Sequence, residues 1–209
     1  MQKLKLFLGA VLAGVAIGIG GTAFLAIDNK IAGALFFAVG LYSICVHGLN
    51  LYTGKIGYLP NQKPIYLLDL LIIWLGNLAG TELAGLAVRA TRFASLREKA
   101  TIMCAAKTAD NMGSLLILGV FCGILMYVAV DGYKKTQNPL ILFACVAGFI
   151  LCGFEHCVAD MYYFAIAGAW SLRAFAAILV ISLGNSIGAV LIPLVQKIPD
   201  ACRKDKSST

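Results

Sequence analysis

Six long apolar stretches divide the chain, separated by short polar or basic segments. A helix needs about 20 predominantly apolar residues to cross roughly 30 Å of hydrocarbon. Residues 6–27 are free of charge, and so are residues 31–54 apart from His47. Residues 65–88 carry Asp69 and Glu82, residues 100–130 carry Lys107 and Asp110, and residues 140–169 carry Glu155, His156 and Asp160. Residues 174–196 are again clean. The pattern predicts an all-α integral membrane protein with six transmembrane helices. Two of the stretches look broken. The second runs into Leu51-Tyr52-Thr53-Gly54-Lys55 without a clean stop and is followed by Pro60 and Pro64, and the fifth has its charges at mid-span. Broken helices are tolerated in lipid where the freed backbone lines protein or a water cavity.

The chain also resembles itself. Leu75-Gly76-Asn77 in the third stretch matches Leu183-Gly184-Asn185 in the sixth, and Gly80 and Gly188 follow at the same distance. A histidine precedes each asparagine at nearly equal spacing, His47 in one half and His156 in the other. Three spans per half is an odd number, so the halves would lie in opposite senses across the membrane. The pattern predicts an inverted 3+3 repeat, whose substrate site is expected at the midplane. The expected organisation is a single transmembrane domain over 1–209, with halves of about 1–90 and 100–199 and a short polar tail, 200–209.

Composition sharpens the class. The 209 residues are 60% hydrophobic and only 13% charged, against about a quarter charged in soluble domains. The net charge of +7 does not point to nucleic acid, because the basic residues lie between apolar runs and at the ends, where headgroups and topology account for them. Lys3, Lys5, Lys55, Lys63, Lys134, Lys135, Lys197 and the basic tail share one side under six spans. They outnumber Lys30, Arg89, Arg92, Arg97, Lys99 and Arg173 on the other. That balance favours cytoplasmic termini in a multi-pass protein of the cell (inner) membrane. The segment from Arg89 to Lys99 is nonetheless unusually basic for an outer loop. Seven cysteines without a CxxC, six of them in apolar stretches, read as small hydrophobes and not as a disulfide framework. Gly14, Gly18, Gly20 and Gly21 give the first span a small-residue packing face.

Few residues can carry chemistry. An ionisable side chain in mid-membrane is a functional candidate by default, and His156 is the sharpest one because imidazole exchanges protons near neutral pH. Glu155 would diverge from it on a helix and act as a helix-end or interhelix partner. Lys107 reads either as a fixed positive potential that gathers anions at a pore mouth or as a snorkelling interfacial lysine. Thr53 offers a hydroxyl at a glycine-containing break, where it is a cap or a constriction group. Asn77 and Asn185 bridge broken backbone or bond across helices. No GxSxG, Walker A, HExxH or cysteine-histidine zinc spacing occurs, so neither an enzyme nor a metal or cofactor is expected. His47 and His156 as axial haem ligands of an electron-transfer subunit form one alternative, and a neutral-solute channel forms another.

Taken together, Gly153-Phe154-Glu155-His156-Cys157-Val158-Ala159-Asp160-Met161 resembles the fifth-span signature of the formate/nitrite transporter family. Asn50-Leu51-Tyr52-Thr53-Gly54 resembles that family's second-span break, residues 12–21 its first span, Ala106-Lys107-Thr108 the start of its fourth, and Leu183-Gly184-Asn185-Ser186-Ile187-Gly188 its last. The resemblance implies an aquaporin-like protomer in a homopentamer, with a pore in each protomer for formate, nitrite, hydrosulfide or short monocarboxylates. It implies a central pore histidine at His156, a loop threonine at Thr53 and a vestibule lysine at Lys107. Asn77 and Asn185 would anchor the breaks. Lys107 and the half-helix ends would gather the anion, which would pass an apolar constriction as its proton arrives from solvent or through His156. Two positions depart from the family pattern: Asp160 and Gly123 each stand where Asn is usual. An added carboxylate beside His156 would hold an imidazolium more strongly.

Overall fold

The computed structural model describes residues 1–198, apart from the side chain of Ala94; the expected polar tail lies outside the described residues. Nine helices form among them: α1 (Gln2–Ala26), α2 (Lys30–Val46), α3 (Tyr52–Lys55), α4 (Tyr66–Arg89), α5 (Leu96–Ala109), α6 (Met112–Thr136), α7 (Pro139–Cys152), α8 (Cys157–Ala167) and α9 (Leu172–Gln196). Short 3-10 turns cover Ile56–Asn61 and Arg92–Ser95. Four helices, α1, α4, α6 and α9, are long and apolar enough to cross a membrane alone. The fifth stretch is a bent pair, α7 and α8, at 59° across its break. The second is α2, an unwound segment, then α3 and a 3-10 turn containing Pro60.

The fourth stretch differs from the reading of 100–130 as one span. Asp110 ends α5, and the Asn111 side chain accepts the Ser114 N–H to cap the start of α6. Asparagine at such a position supplies an acceptor for one of the orphan amides of the first turn. Lys107 therefore belongs to α5, a separate helix packed against α8.

The basic segment between α4 and α6 also finds a structural explanation. The last carbonyls of a helix lack intrahelical donors and carry the negative end of its dipole. Arg97 Nε donates to the Ala167 carbonyl at the end of α8 (3.0 Å), and Lys99 Nζ donates to the Leu25 carbonyl at the end of α1 (3.0 Å). Arg173 Nε donates to the Thr108 carbonyl near the end of α5 (3.1 Å). Three cations on one face thus close three helix C-termini. Lys99 also bonds Asp28 (2.9 Å) and holds that exposed carboxyl below its ordinary value.

Packing follows the glycines. Helices α1 and α4 pack along Gly14, Gly76 and Gly80, where a Cβ would run into the facing backbone at Gly14 and Gly80 and into the Ala10 side chain at Gly76. Helices α6 and α9 repeat the seam with Gly119, Gly123, Gly184 and Gly188. Close backbone approach of this kind drives helix association in lipid, where apolar burial gives no gain over the acyl chains. Large side chains on the other faces, among them Leu12, Ile19, Leu71, Leu83, Phe121, Leu179 and Leu183, point outward and are exposed.

A candidate pore between two broken helices

Both breaks are built the same way. Gly48 and Gly153 adopt φ of +63° and +72°, a left-handed conformation that glycine reaches without a Cβ penalty. Each lets the next amide turn back into the helix: Leu49 N–H bonds the Ile44 carbonyl and Phe154 N–H the Phe149 carbonyl, both at 2.9 Å. The chain then runs extended through Leu51 and His156, the N-cap residues of α3 and α8.

One asparagine holds each break. Asn77 on α4 donates to the carbonyls of Ala10 (2.8 Å) and Asn50 (2.9 Å), and its Oδ1 accepts the Tyr52 N–H (2.8 Å). Asn185 on α9 donates to the carbonyls of Gly119 and Glu155 (2.8 Å each), and its Oδ1 accepts the Cys157 N–H (2.9 Å). Both side chains are fully buried. Backbone groups freed by unwinding cannot reach water in a bilayer, and a primary amide can donate twice and accept at the same time. The matched Leu-Gly-Asn runs thus have a physical purpose: the glycine lets the whole helix approach and the asparagine ties it to the break.

This wiring corrects the pairing of His47 with His156. Gly48 matches Gly153 and Leu51 matches His156, so His47 matches Cys152. His47 is the exposed C-cap of α2. Counting back from the asparagines misled because the segments between break and asparagine differ in length: α8 is a real helix of 11 residues, whereas α3 has 4 residues before its 3-10 turn. His47 consequently lies outside the site. Both ring nitrogens of His156 are engaged elsewhere, which leaves the two histidines no geometry for a shared axial ligation.

At the centre, Thr53 Oγ1 and His156 Nε2 lie 2.8 Å apart, with Thr53 1% and His156 2% exposed. Nδ1 of His156 accepts the Ala159 N–H (3.0 Å) as the N-cap of α8. An acceptor nitrogen carries no proton, so the neutral ring holds its proton on Nε2 and donates it to Thr53. The Thr53 hydroxyl hydrogen is then available to another acceptor. A second proton on Nδ1 would require the ring to give up the Ala159 bond. Phe149 stacks on the imidazole at 5.5 Å between centroids; neither Phe149 nor Leu51 stood out in the sequence as a candidate.

Two cavities lie near this point, one lined by Leu51 and Gly54 on either side of Thr53 and the other by His156 itself. One, of about 460 Å³, is lined by Leu41, Leu51, Gly54, Lys55, Tyr58 and Lys134 among others, and adjoins the groove around the N-terminus through Gly48 and Leu49. The other, of about 300 Å³, includes Phe24 near the far end of α1, with Phe149, His156, Lys107, Glu155 and Asp160. In this second cavity Lys107 neither snorkels nor stands alone. Its ammonium pairs with Glu155 and with Asp160 Oδ1 (2.8 Å), and all three side chains are largely buried. Glu155 thus serves as a partner at a helix end. Asp160 faces Lys107 and leaves the imidazole unaccompanied, contrary to the expectation that it would support an imidazolium. Among the described residues no cluster of His, Cys, Asp and Glu is arranged for a metal ion.

Gly123, the second departure from the expected pattern, is a packing position. It faces the Asn185 backbone as Gly14 faces that of Asn77, and a Cβ would overlap the Asn185 carbonyl. We expect Gly123→Asn to lower stability by about 3 kcal/mol or more, the upper range for overpacking. A detergent melting curve measures this, and a parent-like midpoint would show the seam to be loose.

Two interrupted spans tied to whole spans by buried asparagines, with a cavity at each mouth, define a membrane channel protomer and not an enzyme. The formate/nitrite transporter family matches residues 1–197, and the chain belongs to that family. It is 25% identical to the formate channel FocB of Escherichia coli over 84% of this chain and 70% of the relative. It is likewise 25% identical to the nitrite transporter NirC of Salmonella typhimurium over 91% of this chain and 81% of the relative. Among solved structures it resembles a pentameric formate channel with formate bound, at a TM-score of 0.78 and 22% identity over 93% of this chain and 96% of that one.

Proposed function

We propose that this protein is a channel-type transporter of small monovalent weak-acid anions, namely formate, nitrite or hydrosulfide, with His156 and Thr53 at its constriction. The observation that carries the proposal is the buried Thr53–His156 hydrogen bond between two cavities. A bare anion in a dry, apolar passage is very costly, and its neutral conjugate acid is not. Passage therefore couples to a proton, delivered from solvent or relayed at the His156 ring. The formate channel and the nitrite transporter among its relatives support this class. Thr53 offers the permeant a hydroxyl proton and His156 polarises that hydroxyl from behind. Asn77 and Asn185 hold the two breaks in register, and Lys107 sets the charge of its vestibule jointly with Glu155 and Asp160. The halves form an inverted repeat. The protein acts as a homopentamer in the cell membrane with cytoplasmic termini; exposed apolar faces and a pentameric neighbour support the assembly.

Reconstitution into vesicles tests the reading. Formate, nitrite or hydrosulfide flux should rise with the protein, and His156→Asn should remain folded while losing or shifting the pH dependence. Flux of neutral solutes without anion flux would reject it. Folded His156→Asn protein with a parent-like pH profile would remove the histidine from proton coupling.

A further inference from the structure

The second cavity holds one ammonium for two carboxylates. Lys107 bridges Glu155 and Asp160 Oδ1, yet Asp160 Oδ2 is buried and has no hydrogen-bond partner. A carboxylate normally fills both oxygens with donors, and an unpaired charged oxygen away from water is among the costliest groups a fold can keep. Two like charges on one site also resist ionising together. Of the pair, Asp160 is the deeper, with a side chain 2% exposed against 9% for Glu155. Other titratable groups within electrostatic reach supply no further positive charge: Cys104 on α5, Cys122 on α6, and Cys157 and Tyr163 on α8. The nearby imidazole of His156 is already committed to Thr53 and the α8 cap.

We propose that Asp160, which lines this cavity, is a proton-carrying, specificity-determining residue of the vestibule, whose carboxyl holds its proton at rest and gives it to the incoming weak-acid anion. The inference rests on the anion-transport reading. With Asp160 neutral, Lys107 and Glu155 cancel, and the vestibule admits an anion without a net repulsive charge. The anion accepts the Asp160 proton on an oxygen, or on sulfur for hydrosulfide. A neutral acid and an Asp160 carboxylate result, and one proton from solvent then restores the neutral carboxyl. While Asp160 is ionised the three charges sum to minus one and the next anion is repelled. Rising pH on this side therefore lowers entry. Anions whose conjugate acids are weak enough to take a proton from a carboxylic acid are favoured over halide-like anions, which cannot.

Two measurements test this with the pH equal on both faces, so that no gradient drives transport. Parent flux should fall as pH rises, approaching about tenfold per pH unit beyond the midpoint, as for one titrating group. Asp160→Asn should flatten that slope and narrow the preference for formate over chloride. Infrared difference spectra should show a protonated-carboxyl band in the parent that Asp160→Asn removes and Glu155→Gln retains. A parent-like slope in folded Asp160→Asn would overturn the proposal, as would a band absent from the parent or lost in Glu155→Gln instead. The infrared result stands even if no tested anion is transported, so it separates failure of this inference from failure of the transport reading.

Discussion

Replacing Asn185 by Ala should strongly lower the thermal stability of the detergent-solubilised protein. The substitution removes three hydrogen bonds and strands the Gly119 and Glu155 carbonyls and the Cys157 N–H where no water replaces them. Each buried unsatisfied group costs about 1–3 kcal/mol, so a total of about 3 kcal/mol or more is expected. Asn77→Ala should lose a similar amount, because it strands the matching groups of Ala10, Asn50 and Tyr52. Melting midpoints of both variants near that of the parent would show that the breaks are held by packing alone. The two differ in consequence: Asn185→Ala also loosens the backbone that carries His156, so its anion flux should fall further.

The second large effect is expected at Lys107. Read from sequence, Lys107→Met should merely weaken an attractive potential, most visibly at low ionic strength, where screening is least. In the structure the ammonium is the shared partner of two buried carboxylates. Removing one member of such a pair typically destabilises by about 3–5 kcal/mol, because the remaining charge is left uncompensated. Lys107→Met should therefore be poorly folded, and adding Glu155→Gln should restore much of the loss. Melting curves of the single and double variants decide the matter. A stable Lys107→Met whose flux defect disappears in high salt would return the lysine to a purely attractive role.

How much the sequence revealed depended on the distance over which each feature is specified. Helices α1, α4 and α9 lie within a few residues of the predicted spans because a charge-free run of suitable length has few other solutions in a bilayer. The breaks near Thr53 and His156 were legible from local polarity and glycine. Gly48 and Gly153 were equally visible, but their role as left-handed helix stops needed the positive φ to stand out. The division between α5 and α6 was hidden because Asp110-Asn111 interrupts an otherwise apolar run too briefly to alter its average. Asn111 followed by Ser114 was the capping signal available. Pairing of Lys107 with Glu155 and Asp160 joins α5 to the start of α8 across 48 residues or more, and no local pattern encodes such a contact. The same limit explains His47: equal counting presumes equal loops.

The equivalence of Leu51 and His156 carries a consequence for how such a pore diversifies. Both residues occupy the same station on the same backbone trace, after a left-handed glycine and before an amide held by an asparagine. The scaffold makes no demand for an imidazole there, since a leucine fills the corresponding place in the other half. Chemistry and architecture are thus separable: each break presents a similar backbone socket, one filled by an inert leucine and the other by a titratable ring. New selectivity can arise by changing what stands in a socket while the wiring that makes the socket stays fixed.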